Sequence, residues 1–115
     1  MGLFANIFGK KQEVVEQAVL IYIKLSNDEF GTDKERQRII EIEDKLKRAI
    51  NDNELGEFDG NEFGEGECVF YMYGPDAEKL FQIVYPILKR EMLPEGSYII
   101  KRFGPPGAPQ ETFDL

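Results

Sequence analysis

The chain has no histidine, no tryptophan and a single cysteine, Cys68. The first absence removes the commonest general base and the commonest zinc ligand. The lone cysteine leaves no partner for a disulfide within the chain, which fits a reducing compartment, and a cytoplasmic protein is expected. Long hydrophobic runs are also missing. None exceeds AVLIYI, from Ala18 to Ile23, far short of the ~20 apolar residues that cross a bilayer. The opening MGLFANIFGKK is not the pattern of a signal peptide, because its apolar part is short and its lysines follow that part. Asn6 stands where a myristoylation motif has Ser or Thr.

Positive charge is missing from the middle of the chain. The net charge is −8, and between Arg48 and Lys79 there is no Lys or Arg. The same interval carries nine of the 22 acids, so the remainder of the chain is close to neutral. Such a field repels phosphate backbones and anionic head groups, and neither nucleic acid nor membrane is expected as a partner. The densest acidic stretch is GEFDGNEFGEGE, residues 56–67, with Glu54 just before it.

What is present describes one domain. A chain of 115 residues buries roughly two-thirds of its unfolded surface and folds without staples. At 42% hydrophobic and 31% charged it has a globular composition. Residues 1–12 read as a lead-in, 14–103 as the folded core and 104–115 as an extended tail rich in proline and glycine.

Val14 to Leu25 has the period of a strand, with Val19, Ile21, Ile23 and Leu25 on one face and Ala18, Leu20, Tyr22 and Lys24 on the other. Thr32-Asp33-Lys34-Glu35 has capping-box spacing and opens a helix whose apolar stripe is Ile39, Ile42, Leu46, Ala49 and Ile50. Leu55 to Asp59 reads as a short strand, Gly60-Asn61 as a tight turn, and Cys68 to Tyr73 as the most strand-like run. Asp76 caps a second helix striped by Leu80, Phe81, Val84, Ile87 and Leu88. Pro86 lies inside it and predicts a kink or a break. Ser97 to Phe103 is a final strand. Residues 111–115 alternate weakly, as a short edge strand does.

The order is strand, helix, strand, strand, helix, strand. Neither helix can bury its stripe without a sheet. The α+β arrangement that satisfies all six elements is a four-stranded antiparallel sheet with both helices on one face. It resembles the ferredoxin-like split βαβ topology (βαββαβ) over about residues 14–103. That resemblance is one of topology alone, and the fold hosts many unrelated functions.

Catalysis has little to draw on. Cys68 falls in a strand among acids and apolar residues, where a thiol is inert. Small ferredoxin-like phosphatases of the acylphosphatase type hold phosphate with an arginine in a glycine-rich first loop. The corresponding SNDEFGTD has none. No enzyme activity and no cofactor are expected.

A calcium loop needs oxygen donors at fixed positions. Asp59, Asn61 and Gly64 match the first, third and sixth, but Phe63 and Phe70 stand where the fifth and the closing glutamate belong. The alternative reading of segment 54–67 is a small-ligand or divalent-cation binding module, its looser cation site built from Asp59, Asn61, Glu62 and Glu65. The leading reading is a charged hairpin that discourages edge pairing.

With Val19, Ile21 and Ile23 turned to the helices, Tyr22, Tyr71, Tyr73 and Tyr98 fall on the open sheet face. An aromatic open face on this topology is similar to the RNA-recognition motif. That family carries basic residues beside its aromatics, whereas the lead-in here is Glu65-Gly66-Glu67. Tyrosine is favoured at protein interfaces. The expectation is therefore a non-catalytic interaction or regulatory module. Its surface would be Tyr22, Tyr71, Tyr73 and Tyr98 with Glu57, Asp59 and Glu62, and its partner a basic protein or a second copy. The other reading of the tyrosines is that the tail covers them or that they are simply half-exposed. The prolines of PPGAP lack a basic anchor for groove recognition, and the apolar turn at Leu3, Phe4, Ile7 and Phe8 is expected to pack on its own domain.

Overall fold

A computed structural model describes residues 15–115. Val14 and the expected apolar turn at Leu3, Phe4, Ile7 and Phe8 lie outside the described residues. Five strands and two helices follow in the order β1 (Gln17–Lys24), α1 (Asp33–Asp52), β2 (Glu57–Gly64), β3 (Glu67–Gly74), α2 (Ala77–Arg90), β4 (Tyr98–Arg102) and β5 (Gln110–Asp114). The strands form one antiparallel sheet in the order β2-β3-β1-β4-β5. No described helix is long and apolar enough to cross a membrane.

The expected four-stranded arrangement is therefore not matched as stated. The sheet has a fifth strand, β5, paired along β4. The segment expected as an extended tail supplies it. Pro105, Pro106 and Pro109 precede the strand, so no proline interrupts its ladder.

The period-two pattern of β1 is realised as read. Val19, Ile21 and Ile23 meet Ile39, Ile42, Leu46 and Ile50 of α1 and Leu80, Val84 and Leu88 of α2 in one buried cluster. Cys68, Phe70 and Met72 of β3 and Ile99 of β4 complete it. Both helices thus lie on one face of the sheet. Thr32 caps α1 through the expected capping box, its hydroxyl accepting from the Glu35 amide at 3.1 Å and the Glu35 carboxylate accepting from the Thr32 amide at 2.9 Å. The same carboxylate accepts from the Ser26 amide and hydroxyl, which ties the loop after β1 to the helix. These bonds, led by that from the Thr32 backbone, hold the Glu35 carboxyl below its usual range. Pro86 does not break α2, which runs from Ala77 to Arg90. Pro86 and Gln82 both sit on the solvent side, where water can serve the carbonyl that loses its amide.

The hairpin differs from its sequence reading. Gly60-Asn61 is not the turn; β2 continues through it to Gly64. The turn is Glu65-Gly66, with φ of 52° and 81°, the two left-handed residues that a two-residue hairpin loop needs. Phe58 and Phe63 both pack on the core, opposite Met72 and Cys68. They are an odd number of residues apart, so strict alternation would send one of them outward. A bulge at Asp59, where the register shifts between Phe58 and Gly60, restores both to the same face.

β5 is fastened by its ladder along β4, by Phe113 and the adjacent Leu115 packing on the core, and by one polar cluster. Lys101 of β4 faces the helices and is 6% exposed. Its ammonium donates to Glu78 of α2 at 2.5 Å and meets Glu111 of β5 at 3.1 Å. The Phe81 and Phe113 rings lie 4.5 and 5.0 Å from it. Burial alone would lower the lysine's pKa, but the two carboxylates outweigh burial and raise it.

Two outcomes test these contacts. A Cβ on Gly74 would stand 2.2 Å from the Leu55 carbonyl oxygen, where β3 passes the entry to β2. Gly74→Ala is expected to cost about 1–3 kcal/mol by overpacking, read from urea denaturation. The Glu78 carboxyl is held below its usual 4.5, first by the hydrogen bond from Lys101. A lowered carboxylate lends stability above its unfolded value and loses it as pH falls through its folded value. The stability lent by the Glu78–Lys101 pair should therefore be lost as pH falls below 4.5, and Glu78→Gln should remove that acid-dependent loss, read from urea denaturation at a series of pH values.

Candidate interaction surface

The sheet face away from the helices carries a second, thinner apolar layer. Ala18, Leu20 and Ile100 are buried there, and Tyr22, Tyr71, Tyr73 and Tyr98 pack against them. The strand registers bring the tyrosines together: Tyr22 stands opposite Tyr98 on one side of β1, and Tyr71 opposite Leu20 on the other. Tyr22 and Tyr98 stack with centroids 4.6 Å apart and planes 10° from parallel. All four rings are half-buried, with the layer beneath them and no described element over them. The β5 part of the tail lies beside β4 in the plane of the sheet, while Gly104, Pro105 and Pro106 before it share a depression with Tyr73 and Arg102.

The acids of the hairpin divide among several positions. Glu57 and Glu62 pair across from Tyr73 and Val69, which puts them on the tyrosine face. Glu62 accepts a hydrogen bond from the Tyr71 hydroxyl at 2.9 Å. Asp59 is exposed at the bulge, and Glu65 forms the turn. Asn61 points to the helix side and donates to Glu43 of α1. The four residues of the looser cation site therefore diverge, and among the described residues no three metal-ligating side chains converge.

A loop overlooked in the sequence joins this rim. The Leu25 amide donates to the Gly66 carbonyl at 2.9 Å, and the Gly66 amide to the Glu29 carbonyl at 3.0 Å. Asp28 and Glu29 are thereby set against the hairpin turn. A Cβ on Gly66 would lie 3.2 Å from the Asn27 carbonyl oxygen, so this close approach and a φ of 81° both favour glycine. Phe30 stands in the same loop, 56% exposed. On the hairpin and β1, Tyr22, Val69 and Tyr71 with Glu62, Glu65 and Glu67 line an open depression of about 340 Å³. The run SNDEFGTD held the acids and the phenylalanine in plain view; its contact with the turn is a tertiary fact with no local signal.

Lys101 was equally hidden. Its place between Ile99 and Phe103 on the helix-facing side of β4 was readable from alternation, but its partners come from two distant elements. Cys68 is fully buried, and burial first, then Glu43, pushes its thiol up to about 12. A thiol so protonated is not a nucleophile at neutral pH.

Compared with known proteins, the chain matches no family model, no curated protein and no solved structure.

The Tyr71 phenol is raised to about 12, first by its hydrogen bond to Glu62 and then by burial and the carboxylate's charge. The neutral phenol is the favoured form. Its contribution to stability is full below the usual 10.0 and is lost as pH rises toward 12. In Glu62→Gln the phenol should titrate closer to 10.0, visible in an absorbance titration of tyrosinate, and the alkaline loss of stability should move with it.

Proposed function

We propose that this chain is a non-catalytic protein-interaction module that binds a basic partner through its tyrosine face and the acidic rim beside it. The observation that carries the reading is the composition of that face. Four half-buried tyrosines over an apolar layer offer contact area with little rotamer entropy to lose. Among the described residues no Lys or Arg forms an ion pair with Glu57, Asp59, Glu62, Glu65 or Glu67, so their field is left for a partner.

The scaffold of this reading is a ferredoxin-like split βαβ unit extended by β5. Its support is that β1 and β2 both run antiparallel to β3 and are joined by α1. In the same way β3 and β4 both run antiparallel to β1 and are joined by α2. A cytoplasmic setting accords with the lone buried thiol.

The test is a titration with a lysine- and leucine-containing amphipathic peptide, followed by NMR of the tyrosine rings. Shifts should centre on Tyr22, Tyr71, Tyr73 and Tyr98 and weaken with salt. Reversing Glu57, Glu62 and Glu67 to lysine should lower affinity by about ten-fold or more, which is ~1.4 kcal/mol. Ring shifts that follow chain concentration without peptide would assign the face to a second copy. Shifts confined to the helices would sink the reading.

A further inference from the structure

β5 pairs with β4 along its backbone but leaves most of its side chains exposed. Within Gln110–Asp114 only Phe113 is better than marginally covered. Phe113 and, just beyond the strand, Leu115 are the apolar side chains that oppose its departure, which places it toward the low-stability end of the sheet. Its recognition is nonetheless specific. Glu111 stands opposite Lys101 and Phe113 opposite Ile99, both on the helix-facing side. The two residues present an acid and an aromatic ring to the Lys101 ammonium.

The surround of Lys101 is divided between two elements. Glu78 and Phe81 belong to α2 and remain in place when β5 leaves. Glu111 and Phe113 belong to β5 and leave with it. A buried lysine without any carboxylate would resist opening, but here one counter-ion stays. Opening therefore vacates a groove that is still formed: the β4 edge, the Lys101 ammonium and the Phe81 ring.

The linker suits such movement. Between β4 and β5 it carries Pro105, Pro106 and Pro109, which donate no backbone hydrogen bonds. The backbone bonds recorded there are Phe103 to Pro109 and Ala108 to Pro105, with Arg102 also donating from its side chain to the Gly104 carbonyl. The other edge of the sheet offers no equivalent. β2 is bulged at Asp59 and bears the exposed acids Glu57, Asp59 and Glu62, which discourage strand addition.

We propose that the β4 edge, with Lys101 and Phe81, is a strand-docking site selective for a Glu-x-Phe segment. Its own Glu111-Thr112-Phe113 fills it in cis, and residues 110–114 of a second copy fill it in trans. Exchange of β5 between two copies is the resulting association, a form of strand addition at a sheet edge.

Three measurements test this together. Hydrogen exchange on the unaltered chain should show β5 amides opening without global unfolding, well before those of β1 and β3. A labelled peptide of residues 107–115 should bind a full chain carrying Glu111→Lys and Phe113→Ala at least about ten-fold more tightly than the unaltered chain, whose own strand competes. The same peptide with lysine in place of its glutamate should bind neither. Dimers formed when the unaltered chain is refolded at high concentration should dissolve in excess peptide, which a dimer joined through the tyrosine face would not do. The proposal is overturned if β5 amides exchange only on global unfolding, if the peptide ignores its own charge reversal, or if concentrated chain stays monomeric. The exchange measurement needs no variant, so it decides even if the doubly substituted chain fails to fold.

Discussion

β1 is buried on both faces, and much of the molecule answers that constraint. Val19, Ile21 and Ile23 on one side and Ala18 and Leu20 on the other are all nearly inaccessible. A central strand of this kind needs cover above and below. The helices supply it on one side with a full layer of Ile, Leu and Val. On the other side there is no helix among the described residues, and the cover is the ring of tyrosines. This explains why those tyrosines are half-buried rather than splayed into solvent. Each presents its ring to the apolar layer and keeps its hydroxyl near water or near a carboxylate, as Tyr71 does with Glu62. The same side chains therefore close the sheet and form its outer surface.

The hairpin obeys a second constraint, that of parity. Phe58 and Phe63 must both reach the core, and only the bulge at Asp59 allows it. Glu57 and Glu62 then share the opposite face, next to Tyr73 and Val69. The acidic rim beside the tyrosines is thus a consequence of how the aromatic residues are anchored. Twist added at the bulge also makes β2 a poor template for another strand, so the acids and the irregularity protect the same edge.

Legibility in the sequence followed the range of the interactions. Elements defined by period were plain: the alternation of β1, the stripes of α1 and α2, and the capping box at Thr32 all depend on neighbours within a few residues. The four tyrosines could be assigned to one face because parity carries along a strand. The turn was misplaced because Gly60-Asn61 has the right chemistry but the wrong parity for the two phenylalanines, while Glu65 takes a left-handed conformation that its residue type does not advertise. β5 was visible only as weak alternation, since its hold on the sheet depends on Lys101, Glu78 and Phe81, three residues that no local pattern links. The approach of residues 28 and 29 to the hairpin turn is of the same kind.

The distribution of ion pairs bears on where a partner would be drawn. On the helices many charges are matched: Lys47 with Glu43, Lys45 and Arg38 with Glu91, Arg36 with Asp33. Exposed pairs of this kind add little stability. They do cancel each other's field beyond a Debye length, which is about 8–10 Å at ordinary salt. Among the described residues the hairpin acids form no such ion pair, although Lys24 of β1 stands across from Glu67, so the unmatched acids gather at the tyrosine face and its rim. In the proposed interaction, a basic partner would be drawn to the sheet side rather than to the nearly neutral helical side. Orientation would then be chosen before contact, and the aromatic layer would decide how long the encounter lasts.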